Sequence, residues 1–182
     1  MKKVLIIIAA IVVILVVVIA MQPSELRISR TATIDAPAAK VYGIINDHHN
    51  WRAWSPWEKL DTNAQSTFTG PTSGVGSAIS WSGNDQVGAG TMTITESKPS
   101  ELVKMRLDFE RPMKATSNIE FALASKGKQT DVTWTMTGQK NFVQKAFGLF
   151  MNCDQMMNGY FDEGLANLNK LATTPEPKGK RK

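Results

Sequence analysis

The sequence has little cysteine and little histidine, and away from its two ends it has no excess of charge of either sign. The single cysteine, Cys153, excludes an internal disulfide framework and a paired-thiol metal or redox centre. It lies among apolar residues in a helical stretch and reads as an inert buried thiol; no local pattern supports a nucleophile paired with His48 or His49. The net charge of +5 is confined to the ends. Residues 176–182, EPKGKRK, contribute +3 and Lys2 with Lys3 contribute +2, which leaves residues 4–175 neutral. The folded part therefore lacks the basic charge that grips a phosphate backbone, and nucleic acid is excluded as a partner. The stretch 173–182, TTPEPKGKRK, reads as a disordered basic tail.

One long hydrophobic run is present. Val4 to Ala20, VLIIIAAIVVILVVVIA, is seventeen apolar residues without a charge. At about 1.5 Å per residue, and with its flanks, it reaches across a hydrocarbon core of roughly 30 Å. A cleaved signal peptide is the competing reading, with Val18 and Ala20 at a small-residue cleavage site, but the run exceeds the usual apolar region of about 7–15 residues. Residues 1–22 are thus expected to be an uncleaved anchor of a single-pass membrane protein, with the domain extracytoplasmic (periplasmic). Arg27, Arg30 and Lys40 follow the span closely and blur the charge asymmetry that would set its orientation.

Beyond the anchor, the periodicity divides the chain cleanly. LRISRTATID alternates as a strand with Leu26, Ile28, Arg30, Ala32 and Ile34 on one face. Pro37 opens a short amphipathic helix, PAAKVYGIIND, and HHNWRAW forms a second short helix or turn that stops at Ser55-Pro56. From Gln65 to Gln139 about six strands follow, each half apolar and half polar, as in an antiparallel sheet with one face in water and one covered. The cover is the closing segment from Asn141, where Phe142, Ala146, Leu149, Met156, Tyr160, Leu165 and Leu168 recur at helical spacing. Gly148, Gly159 and Gly164 predict a kink or break, placed between Gly148 and Asp154. Segregated strands and helices make the fold class α+β.

This order, with IDAPAAKVYGIINDHHNWRAWSPW (Ile34 to Trp57), VGAGTMTITESKP (Val87 to Pro99), LDFERP (Leu107 to Pro112) and GLFMNCDQMMNGYFDEGLANL (Gly148 to Leu168), resembles the START-like, helix-grip superfamily of polyketide cyclase/dehydrase-like proteins (SRPBCC), in its membrane-anchored bacterial form. The resemblance spans about residues 26–172. It implies a curved antiparallel sheet packed on a long C-terminal helix, with a hydrophobic cavity between them for a lipid or other apolar small molecule. It does not imply a reaction, because the superfamily contains enzymes as well as binders.

Strand parity sharpens the expectation. If the apolar faces point inward, the interior carries Phe68, Trp81, Met92, Met105, Leu107, Phe109, Phe121, Trp134 and Met136, with no acid or base among them, whereas general acid–base chemistry needs a titratable group beside the substrate. Arg106, Asp108 and Glu110 share the opposite face and read as a solvated charge ladder. Arg30 breaks the pattern: it is in phase with the apolar residues, where its guanidinium could hold a carboxylate or phosphate headgroup, unless a strand end or bulge returns it to water.

Trp51, Trp54 and Trp57 are three apart and follow one side of a short helix; the resemblance implies that they pack it against the sheet near the cavity mouth, with aromatic lining as a secondary role. Met156 and Tyr160 of the last helix belong either to the core or to an adaptable cavity wall. His48 and His49 are adjacent and cannot easily share a metal, and they read as solvent-side helix caps. The glycines of VGAGTM precede a strand and do not form a phosphate loop. The expected ligand site is therefore Arg30, Trp54, Phe68, Trp81, Met92, Met105, Leu107, Phe109, Phe121, Trp134, Met136, Met156 and Tyr160, with no metal, no cofactor and no catalytic residue. The alternatives are a polyketide cyclase/dehydrase-like enzyme using Arg30, His48, His49 or Tyr160, and an accessory domain of a membrane protein whose cavity its own side chains fill.

Overall fold

Alternation of period two, broken by glycine-rich turns, gives seven strands in the computed structural model, which describes residues 1–149 and 153–175. The elements are α1 (Lys2–Met21), β1 (Glu25–Ile34), α2 (Ala38–Ile45), a 3-10 turn (His48–Asn50), α3 (Trp51–Trp54), a second 3-10 turn (Glu58–Leu60), β2 (Gln65–Thr69), β3 (Ala78–Ser82), β4 (Ala89–Lys98), β5 (Leu102–Arg111), β6 (Ala115–Lys126), β7 (Gln129–Gln139), α4 (Phe142–Gly148) and α5 (Cys153–Thr173). The strands form one antiparallel sheet in the order β1-β7-β6-β5-β4-β3-β2. The crossover from β1 to β2 is made by α2 and α3, and α5 closes the concave face. This is the helix-grip fold, with the apolar helix α1 preceding it.

The helix break falls where the glycines place it: α4 ends at Gly148 and α5 begins at Cys153. Gly159 and Gly164 sit inside α5, and Gly164 has a packing reason. A Cβ there would come within 2.7 Å of the Trp134 ring and 3.2 Å of Pro56. The expectations for the Cys153 thiol and for the tail from 176 onward fall outside the described residues.

Opposed residues share a face, so the register orders the concave side into rows. One row runs Arg30, Trp134, Phe121, Val103. The next runs Ile28, Met136, Ile119, Met105, Ile94. A third runs Leu26, Gly138, Ser117, Leu107, Met92, Ile79, Phe68, and beyond it lie Ala115, Phe109, Gly90, Trp81 and Ser66. On the convex face Lys104 sits 2.9 Å from Glu96 and 3.8 Å from Glu120, and Arg106 is paired with Asp108. That is the solvated ladder read from the alternation.

α5 runs in the same direction as β1. Arg30 bonds Asp162, the Asp35 amide donates to Asn169 Oδ1 at 2.8 Å, and Lys40 Nζ reaches the Thr174 carbonyl at 3.4 Å. The start of α5 therefore lies at the same end of the domain as Glu25 and the close of α1.

Candidate ligand cavity

The two ends of the sheet are packed differently. Toward the β6–β7 hairpin the space under α5 is filled: Ile34, Val103, Phe121, Val132 and Leu168 are each fully buried. Toward the α1 end the rows diverge from the helix and leave a partly open cavity of about 490 Å³. Its floor is Trp134, Met136, Ile119, Leu107, Met92, Ile79, Phe109 and Trp81; its roof is Met156, Met157, Tyr160 and Phe161 of α5; one side is Trp51 and Trp57. Arg52, Glu58, Asp61, Ser66 and Gln86 add polar groups to the lining.

Aromatic packing fixes the rigid parts of this wall. Trp134 is stacked on Phe161 at 4.1 Å between ring centroids and meets Trp51, Trp54 and Trp57 edge to face at 6.1, 5.6 and 5.9 Å. Such pairs favour one arrangement over a fluid one. The Trp81 ring lies against Gly90, where a Cβ would come within 2.6 Å of it, and its Nε1 donates to the Val87 carbonyl at 3.0 Å. Gly90 thus sets how deep the Trp81 ring drops toward the cavity. Met156 is 48% exposed and supplies the flexible part of the roof.

Polar chemistry in the lining is sparse. Arg52 and Glu58 neutralise each other through an ion pair, with Nε at 2.8 Å. Asp61 Oδ2 accepts from the Asn84 amide at 2.7 Å. Tyr160 lines the cavity, and its phenol has no hydrogen-bond partner among the described residues. No group of three or more His, Cys, Asp and Glu side chains is arranged to hold a metal among the described residues.

Eight of the thirteen expected residues line this cavity: Trp81, Met92, Leu107, Phe109, Trp134, Met136, Met156 and Tyr160. The other five lie elsewhere. Met105 and Phe121 are on the concave face, but in the filled half, fully buried. Trp54 is 1% exposed and packs on Phe121 and Trp134 beneath the wall that Trp51 and Trp57 present. Phe68, on the edge strand β2, is 37% exposed and stacks on His49 at 4.2 Å. Arg30 does face α5, yet its guanidinium is taken by Asp162. The lining residues outside the expected set are chiefly Trp51, Trp57, Ile79, Ile119, Met157 and Phe161.

The histidines separate. His49 is a surface residue whose amide and Nδ1 both meet Asp47 Oδ1, at 2.9 and 2.8 Å. His48 is not on the solvent side: it is 1% exposed, with Nδ1 3.2 Å from Ser77 Oγ and Nε2 without a hydrogen-bond partner. Successive residues of a 3-10 turn point about a third of a turn apart, so one of an adjacent pair turns inward. Burial pushes the His48 pKa down to about 4, against the opposing pull of Asp47, and keeps the ring neutral. Neither histidine reaches the cavity.

A curved sheet gripping a helix over an apolar hollow defines the class as a START-like binding fold. The model of the family described as polyketide cyclase / dehydrase and lipid transport matches residues 25–173, and the chain belongs to that family. Solved structures agree on the fold. A Chromobacterium violaceum protein is 14% identical with a TM-score of 0.59, covering 85% of this chain and 100% of its own. A Mesorhizobium loti protein is 14% identical with a TM-score of 0.60, at 84% and 100% coverage. Aha1 from Colwellia psychrerythraea, solved as a dimer, is 20% identical with a TM-score of 0.57, at 82% and 99%. No curated protein matches the sequence.

Proposed function

We propose that this protein is a membrane-tethered binder of a hydrophobic small molecule or lipid, which it holds without chemical change and can pass on. The observation that carries this reading is the contrast within one fold between a filled half and a hollow half of about 490 Å³. A void of that size lined by Met92, Leu107, Phe109 and Trp134 falls in the range of roughly 300–1,000 Å³ of small-molecule sites and sacrifices packing that the far half retains. The apolar span α1 keeps the cavity beside the phase in which such a ligand dissolves. In this reading the domain lies outside the cytoplasm.

One observation favours a second reading. Tyr160 lines the cavity with its phenol unpartnered among the described residues, and a proton donor to a substrate carbonyl would be free in the same way. An enzyme built on it would still lack a histidine in the lining, and Arg52 and Glu58 are tied to each other.

Photo-crosslinking tests the proposal on the full chain in vesicles carrying a diazirine-tagged phospholipid or fatty acid. Labelling of α1 is expected in any case, because it lies in the bilayer. The binding reading requires additional label on peptides containing Met92, Leu107 or Tyr160, and its loss in Leu107→Trp. Label restricted to α1 would overturn it.

A further inference from the structure

The helix α4 is apolar and uncovered. Phe142, Val143 and Phe147 are 49%, 46% and 55% exposed, and Leu149 follows at 36%. At about 100° per residue these side chains and Ala146 fall within an arc of roughly 160°, with Gln144 and Lys145 on the other side. A capping box between Asn141 and Gln144 fixes the helix start, so the exposed face is a formed surface and not a frayed one.

Its position says what covers it. Lys145 Nζ reaches the Ala20 carbonyl at 3.5 Å, the Lys140 amide donates to the Ser24 carbonyl at 2.6 Å, and Ile19 is the buried residue of α1. With 20 residues at about 1.5 Å each, α1 spans roughly 30 Å, and Ala20 lies where the hydrocarbon ends. A helix packed on that turn sits at the depth where amphipathic helices bury an apolar face about 5–10 Å into the interface. Lys145, on the polar side, keeps its ammonium at the Ala20 carbonyl, the level at which the headgroups begin.

We propose that α4 is a membrane-docking helix: its Phe142, Val143 and Phe147 face inserts into the lipid interface beside the end of α1 and holds the Met156 side of the cavity against the bilayer. Because α5 runs parallel to β1, Met156 lies at this same end of the domain. An apolar ligand then moves between bilayer and cavity past Met156 without crossing water. The inference rests on α1 being a membrane span and adds to it a second contact that sets the domain's orientation.

The test is site-directed spin labelling of the full chain in phosphatidylcholine/phosphatidylglycerol vesicles, with Cys153 replaced by serine. Labels are placed at Val143→Cys, Phe147→Cys, Ile8→Cys within α1, and Lys128→Cys at the distant β6–β7 turn. Relaxation by oxygen, which concentrates in lipid, is compared with relaxation by a water-soluble nickel chelate. The expected result is a nickel accessibility at 143 and 147 several-fold below that at 128, with oxygen accessibility approaching that at 8. A label at 147 as open to nickel as 128, while 8 remains in lipid, overturns the docking helix and leaves the anchor standing. A label at 8 open to water removes the anchor reading and the docking helix with it.

Discussion

Arg30 and Asp162 meet in two parallel hydrogen bonds of 2.6 and 2.7 Å that tie the edge strand β1 to helix α5. The guanidinium does hold a carboxylate, as its inward phase suggests, but the carboxylate belongs to the protein. Both side chains are more than two-fifths exposed, so the pair is screened by solvent and acts mainly to set the register of α5 on the sheet. Arg30→Ala should lower Tm by no more than about 3 °C and leave ligand occupancy unchanged. Loss of bound ligand in that variant would return Arg30 to the site.

Two glycines of α5 make opposite predictions. Gly159 has open space around it, so Gly159→Ala should stabilise by up to about 1 kcal/mol through helix propensity. At Gly164 the same change drives a Cβ into the Trp134 ring, which Phe161 holds from stacking distance, and should cost about 1–3 kcal/mol instead. Chemical denaturation of the two variants checks the sign of each.

His48 makes stability depend on pH in a defined window. Its folded pKa, lowered by burial to about 4, lies below the ordinary 6.5, so the unfolded chain takes up a proton that the folded chain refuses. The stability this supports is complete above about 6.5, falls as pH drops toward 4, and is constant below that, with a total of at most about 3 kcal/mol. His48→Gln should flatten that part of the profile in urea melts between pH 7 and pH 4. An unchanged slope would mean that His48 takes up its proton as readily in the fold as in the unfolded chain.

Filling the two halves of the concave face separates hollow from packed. Leu107→Trp points into the cavity and should change stability by less than about 1 kcal/mol while reducing ligand uptake, whereas Met105→Trp in the filled half should cost about 1–3 kcal/mol or more. Equal destabilisation by both would show that the cavity closes in solution.

Tyr160→Phe removes the unpartnered phenol and keeps the ring. Binding without catalysis predicts bound ligand of the same mass, with affinity within about ten-fold of wild type, the scale of one hydrogen bond. Accumulation of a chemically different ligand in the variant would favour the enzyme reading.

The face on which each strand residue lies was legible in the sequence, because alternation is a local signal. Trp81, Met92, Leu107, Phe109, Trp134 and Met136 share the concave face for that reason. Alternation does not say where along a strand the helix lifts away from the sheet. Met105 and Leu107 are two residues apart on the same face, yet one is in the packed half and the other in the cavity wall. That boundary depends on the register of seven strands and the path of α5, which no local pattern encodes. Phe68 shares the concave face but lies outside the cavity, because β2 is an edge strand whose inward face runs out of cover. Trp54 packs beneath the cavity wall because, in a single turn flanked by 3-10 geometry, a spacing of three does not keep three rings at one depth. The inward turn of His48 left no trace, since two identical neighbours carry no periodicity.

The central claim is that the hollow half holds an apolar molecule. Native mass spectrometry of the full chain, purified from its source in nanodiscs and released in the gas phase, tests it most directly when followed by solvent extraction of whatever remains bound. The account predicts one stoichiometric hydrophobic adduct, reduced in Leu107→Trp and retained in Arg30→Ala. A bare chain that stays bare after incubation with lipid extract would contradict it.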